Sequence, residues 1–150
     1  TLARRVVERF GTPLATPWPT LARAFPSPQS LATATLDSVA GLGIVRTRSN
    51  ALIAMAQAWP DLEATMASPD DFIAALCALP GIGPWTAHYI AMRALGWPDA
   101  FPPNDVAVLK AMRLLFGTTN QRDADARAQA WRPWRAYAVL RLWNSLENPT

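Results

Sequence analysis

The chain has one lysine, one histidine and one cysteine in 150 residues, and each scarcity closes off some chemistry. With Cys77 alone, neither a disulfide framework nor a cysteine-bound metal cluster can form within the chain. Cys77 is instead expected to be a buried, small apolar residue. No apolar run approaches membrane-spanning length, and no basic-then-apolar leader is present. The expectation is a cytoplasmic protein with no membrane partner. There is no strand pair, internal repeat or low-complexity tract. A starting methionine is also lacking: the chain opens in helical rhythm at Thr1-Leu2-Ala3-Arg4-Arg5-Val6-Val7-Glu8. That is the pattern expected of part of a longer polypeptide.

Apolar residues and arginine are abundant. Hydrophobic residues make up 51% of the chain and charged residues 17%, which suits one folded domain with a real core. The net charge is +3, and all but one of the 14 basic residues are arginine, the side chain best matched to phosphate oxygens. A polyanion partner is compatible with this balance, although +3 is modest.

The periodicity predicts an all-α helical bundle. Leu2, Val6, Val7 and Phe10 share a helical face that Gly11 closes. Residues 12–28 carry five prolines and read as an irregular loop anchored by Trp18 and Phe25. Short helices are expected over 29–34 and 36–41, and a longer one over 47–59. Ser68-Pro69-Asp70-Asp71 starts a helix running to Leu79: a capping serine, proline at the first position, then two acids near the positive end of the dipole. The next helix starts at Pro84, and another follows Asn104 or Asp105 and stops at Gly117. A short polar helix near 122–130 leads to a last helix, opened by Pro133 and running through Leu146.

The densest signal is Leu79-Pro80-Gly81-Ile82-Gly83-Pro84-Trp85-Thr86-Ala87, followed by Pro102-Pro103-Asn104-Asp105. Two glycines between helices allow unusual backbone angles and close approach by another chain. Ile82 between them can pack down and fix the helix angle. Amide N–H groups opening the second helix lack intrahelical partners and can bind an anion. Asp105 puts one carboxylate at the mouth of a third helix, where it can cap, act on a substrate, or do both.

Three separated segments resemble the helix-hairpin-helix (HhH-GPD) DNA glycosylases: 79–95 with the hairpin, the Pro102–Asp105 loop, and Trp131-Arg132-Pro133-Trp134-Arg135-Ala136-Tyr137-Ala138. The helix-hairpin-helix is placed at about 69–95. The likeness runs from Arg4 to about Asn148, is closest to the bacterial inducible 3-methyladenine DNA glycosylase II subfamily, and includes Phe25-Pro26-Ser27-Pro28-Gln29 and Gly41-Leu42-Gly43. It implies base excision repair: hydrolysis of the N-glycosidic bond of alkylated purines, of 3-methyladenine or 7-methylguanine type, in double-stranded DNA. A monomeric enzyme of the bacterial nucleoid is expected.

Residue by residue, Asp105 matches the family's catalytic aspartate. An ionised carboxylate near C1′ stabilises the positive charge that develops on the sugar, and can orient or deprotonate the attacking water. Trp85 and Trp143 match aromatic positions lining the base pocket, and Tyr89, one turn beyond Trp85, extends that wall. Indole faces suit a cationic, electron-poor alkylpurine. Trp59, Trp97, Trp131 and Trp134 are read as core. Gly81, Ile82, Gly83 and the Trp85 amide are expected to grip a DNA phosphate. The family also admits a structural monovalent cation at hairpin carbonyls near Gly81 and Gly83; no other metal and no organic cofactor is implied. Relatives that nick the backbone carry a lysine at the Trp85 position, where it forms a Schiff base. Trp85 cannot do this, and Lys110 falls inside the next helix. A monofunctional glycosylase using water follows.

The solitary His88 is read as a satisfied core or rim histidine. Arg46 and Arg48 are read as solvated charge, with a second DNA-backbone contact as the alternative. Asn104 stands where relatives often carry Pro, Val or a second Asp, and is read as tolerated variation. The family's N-terminal domain and the residue that wedges into the gap left by a flipped base are absent, so 1–150 reads as a C-terminal catalytic portion. Fusion to alkylation-response domains would account for that start, and the isolated portion is expected to be weak or inactive. Two alternatives stand beside this reading: a non-catalytic helix-hairpin-helix DNA-binding module, and a sister glycosylase for oxidised or mismatched bases.

Overall fold

A computed structural model describes residues 1–118 and 120–147; Asn148, where the likeness is expected to end, lies outside them. Among the described residues the structure is helical, and its only strand-like pairing is an isolated bridge between Pro13 and Arg23. The all-α expectation holds. No helix among the described residues is long and apolar enough to cross a membrane. The chain divides into two units, residues 1–65 with 78–82, and residues 66–77 with 83–150.

In the first unit, α1 (Leu2–Phe10) starts at Thr1, whose hydroxyl accepts the Arg4 N–H. Gly11 closes it as expected, yet in an extended conformation (φ −71°) rather than a left-handed one. The need for glycine is steric: a Cβ there would collide with the carbonyl oxygens of Val7 and Ala24. Short helices α2 (Pro28–Ala32) and α3 (Leu36–Ala40) are capped by the hydroxyls of Ser27 and Thr35. Both pack on α4 (Arg46–Gln57). Val6, Val39, Ile44 and Ile53 form the buried centre, with Phe10, Leu31 and Leu52 against it.

Two expectations fail in this unit. The helix expected over 47–59 ends at Gln57, and a separate α5 (Trp59–Thr65) follows. Pro60 cannot donate to the preceding turn, whereas near a helix start its missing N–H costs nothing. Trp18 and Phe25 do not anchor the 12–28 loop; they are 63% and 67% exposed. The loop is held by its backbone, Leu14 N–H to Ala22 O and Ala24 N–H to Thr12 O, with Arg23 donating to the Gly11 carbonyl.

The second unit contains α6 (Pro69–Cys77), α7 (Pro84–Ala94), α8 (Val106–Phe116), α9 (Gln121–Ala128) and α10 (Arg135–Glu147). The Ser68 hydroxyl accepts the Asp71 N–H, as the capping signature requires. Helix α6 packs on α7, and α8 on α10. The core joins Met92, Phe101, Val108, Met112, Val139 and Leu142 to small alanines that let helices approach closely. Gly117 ends α8 in the left-handed region (φ 66°), as expected.

Several boundaries move. Helix α6 stops at Cys77 rather than Leu79, and Cys77 is partly buried rather than fully so. After α9 a 3₁₀ turn covers Gln129–Trp131, and α10 starts at Arg135 because Pro133 sits in the intervening turn, closed by Trp134 N–H to Trp131 O. Trp97 and Trp131 pack against the core as expected, and Trp59 is partly buried. Trp134 is 58% exposed, edge-on to the equally exposed Tyr137, so its core assignment is overturned.

Candidate functional site

Asp105 opens α8, and its position follows from local chemistry. Pro102 leads into a turn at Pro103 and Asn104, and Asn104 passes through the left-handed region (φ 57°). Asparagine tolerates that region better than most residues, and proline cannot enter it. The expectation that Asn104 is merely tolerated variation therefore needs correcting: its backbone aims the next residue. Asp105 becomes the N-cap, its Oδ1 accepting the Val108 N–H at 2.7 Å.

The cap role leaves Oδ2 unused, and two indoles complete the shell. Trp85 Nε1, in the first turn of α7, donates to Oδ2 at 2.7 Å. Trp143 Nε1, on α10, donates to Oδ1 at 3.2 Å. Asp105 is 6% exposed and, among the described residues, has no cationic side chain in ion-pair contact. All three donors are neutral, so they hold the carboxylate without cancelling its charge.

Trp85, Tyr89 and Trp143 form a continuous aromatic group beside this carboxylate. Tyr89 lies one turn after Trp85 and stacks against it, with centroids 5.2 Å apart and planes 8° apart. The stack partly covers one indole face. Tyr89 also meets Trp143 at 6.2 Å and a 44° tilt. Trp85 is 39% exposed and Tyr89 36%, so the group reaches solvent. The expected catalytic and base-pocket residues are thus brought together within one unit.

Within the hairpin, the division between the two units falls between Ile82 and Gly83. Gly81 has φ 80°, which only glycine adopts cheaply, and a Cβ there would press on Ala51. Ile82 is buried. Gly83 is not strained (φ −92°); it is the N-cap of α7, makes no side-chain capping bond, and has open space where a Cβ would lie. The first turn of α7 therefore presents the Trp85 and Thr86 amides without a capping side chain.

The second unit also holds an ionic cluster that the sequence did not reveal. Asp99, 6% exposed, accepts two bonds from the buried Arg135 (2.7 and 2.8 Å) and one from Arg132 (2.9 Å). Burial alone would push the Asp99 carboxyl up; the Arg135 fork, with Arg132, more than reverses this and holds it below the ordinary range. His88 is not the satisfied histidine expected. Its Nδ1 is buried without a hydrogen-bond partner among the described residues, and the ring stacks on Trp97. Burial pushes its pKa down, the Arg135 charge adds to that, and Asp70 partly opposes it. Lys110 is exposed on α8. Arg46 pairs with Asp37 at 2.7 Å on the surface, in keeping with solvated charge. An open groove of about 480 Å³ lined by Phe116, Asp123 and Arg127 includes none of Trp85, Tyr89, Trp143 and Asp105.

Residues 1–136 match the family described as HhH-GPD superfamily base excision DNA repair protein. The chain belongs to the HhH-GPD superfamily. It is 37% identical to a probable bifunctional transcriptional activator/DNA repair enzyme AlkA of Mycobacterium tuberculosis, over 99% of this chain and 30% of that protein. It is 36% identical to the DNA-3-methyladenine glycosylase 2 of Escherichia coli, over 79% of this chain and 42% of that one. The chain thus spans well under half the length of both relatives. A solved 3-methyladenine DNA glycosylase from Archaeoglobus fulgidus shares the fold, with TM-score 0.79 at 21% identity over 96% of this chain and 50% of that one. The HhH-GPD assignment agrees with the all-α architecture and with a hairpin between α6 and α7.

Proposed function

We propose that this chain is the catalytic C-terminal portion of a monofunctional DNA glycosylase that hydrolyses the N-glycosidic bond of alkylated purines in double-stranded DNA. The observation that carries the reading is Asp105: buried, oriented by three neutral donors, and paired with no cation among the described residues. A structural cap contributes about 1 kcal/mol and needs one oxygen. It gives no reason to bury the second oxygen against an indole. A carboxylate whose charge is held but not cancelled suits a reaction that develops positive charge beside it.

In the proposed step the bond between C1′ and the base nitrogen breaks, and its electron pair leaves with the base. The sugar becomes oxocarbenium-like and Asp105 stabilises it. Water adds to C1′ and gives up its proton, to Asp105 or to solvent. The products are the free base and an abasic site. The cationic, electron-poor purine is held by the faces of Trp85 and Trp143, with Tyr89 backing Trp85. Trp85 stands where backbone-nicking relatives carry lysine, and the chain's one lysine is exposed on α8. Water is therefore the nucleophile.

Gly81, Ile82, Gly83 and the Trp85 amide form the proposed grip on a phosphate. Its support is the uncapped first turn of α7 and the uncrowded Gly83. A monovalent cation held by hairpin carbonyls near Gly81 and Gly83 would add charge attraction for that phosphate. The DNA partner and the alkylpurine preference rest on the likeness to the named relatives, of which the chain spans 30% and 42%. The test is base release from methylated DNA by the full-length protein and its Asp105→Asn variant. Release lost with DNA binding kept supports catalysis. Equal release by both proteins would leave Asp105 a cap with no part in the chemistry, and release by neither would leave a DNA-binding module.

A further inference from the structure

We propose that Trp85 and Trp143 are positioning residues for Asp105, acting through their indole N–H groups, and that together they leave Oδ2 as the oxygen turned to the substrate. This rests on the functional reading above. The cap bond fixes only one oxygen. A carboxylate about its last torsion has a broad, roughly two-fold energy profile, so one bond does not set its plane. Trp85 and Trp143 arrive from different helices, α7 and α10, and contact different oxygens. Two bonds from two directions set the plane that the cap alone leaves loose.

The acceptor count then distinguishes the oxygens. Each carboxylate oxygen has about two lone-pair sites. Oδ1 uses both, on Val108 N–H and Trp143 Nε1. Oδ2 uses one, on Trp85 Nε1, and keeps one for a water or a developing cation. The donors are themselves held: Trp85 by the Tyr89 stack, Trp143 by Tyr89 and the core of its unit. Nε1–H is the single polar group of an indole, so rings engaged this way meet a base with their faces alone.

The positioning role separates from a stacking role because phenylalanine keeps a face and loses the N–H. In the full-length protein, Trp85→Phe and Trp143→Phe are expected to lower the single-turnover rate of base release about tenfold or more, by analogy with the loss of one aligned donor. Trp85 should matter more, as the sole donor to Oδ2 among the described residues, and DNA affinity should change less than about threefold. Replacement by the isosteric benzothienyl analogue, which lacks only the N–H, should reproduce the loss even where the phenylalanine variants fold poorly. Independently of activity, Asp105→Ala should shift both indole N–H resonances and speed their exchange with solvent. Asp105→Asn serves this purpose if the alanine variant unfolds, and should then shift at least one of them. Wild-type rates in the benzothienyl variants, or unmoved indole resonances, would overturn the proposal. If the wild-type protein releases no base, the functional reading fails, while the resonances still judge the clamp.

Discussion

Asp99 and Asp105 are the same residue at the same exposure, 6% each, six positions apart in the second unit. Their partners differ. Asp99 is gripped by Arg135 and Arg132, so its charge is cancelled where it sits. Asp105 is gripped by two indoles and a backbone amide, so its charge persists. One carboxylate ties the start of α10 to the chain ahead of Asp105; the other is left able to act on a neighbouring cation. Burial alone does not tell the two carboxylates apart. On the proposed reading, Asp105 is suited to catalysis because its partners are neutral.

The largest stability effect should come from breaking the arginine side. Asp99→Asn leaves the Arg135 guanidinium buried without its counter-charge and should cost about 3–5 kcal/mol in denaturant unfolding. Base release per folded molecule should stay near wild type. A catalytic loss at Asp99 larger than its loss of folded protein would break the comparison. Arg132, whose side chain is half exposed, should cost no more than about 1 kcal/mol on conversion to alanine.

Next in size is the turn that aims Asp105. Asn104→Val places a branched residue at positive φ and should cost about 1–2 kcal/mol, measured by the same unfolding, whereas Asn104→Gly should be near neutral. Equal stability in both variants would remove the argument that this backbone turn matters.

Acid should act through both buried groups. Asp99 has its folded pKa lowered, so its contribution is present above the ordinary carboxylate range and is lost as pH falls through the folded value. His88 is also lowered: the folded state prefers it neutral, so stability is full above about 6.5 and declines as pH falls below it. Unfolding midpoints measured between pH 8 and 5 should fall toward acid, and His88→Leu should flatten that limb. This is the smallest effect, and an unchanged slope in the variant would show that His88 does not carry it.

How much of this was legible in the sequence depends on the range of the interactions. Ser68, Pro69 and the acids of α6 are local signals, and so are Asp105 before α8 and Gly117 after it; the structure agrees with each. Trp59-Pro60-Asp61 carried a helix start that the longer 47–59 pattern overrode. The Asp99–Arg135 pair spans 36 positions and has no periodicity to reveal it. Exposure of Trp18, Phe25 and Trp134 depends on neighbours brought by the fold, and aromatic identity alone pointed the wrong way. At the site, the family resemblance singled out Asp105, Trp85 and Trp143, with Tyr89 one turn beyond Trp85, but not that both indoles point their N–H groups at the acid. Side-chain direction across three helices is written in packing, not spacing.

On the proposed reading, the uncancelled charge of Asp105 does the chemistry. Asparagine is nearly isosteric and caps helices as well as aspartate does. The decisive measurement is single-turnover release of alkylated base from methylated double-stranded DNA by the full-length protein and its Asp105→Asn variant, with unfolding followed alongside. The account predicts a loss of at least about a hundredfold in rate, with stability within about 1 kcal/mol of wild type and DNA binding retained. Base release within a few fold of wild type would contradict it.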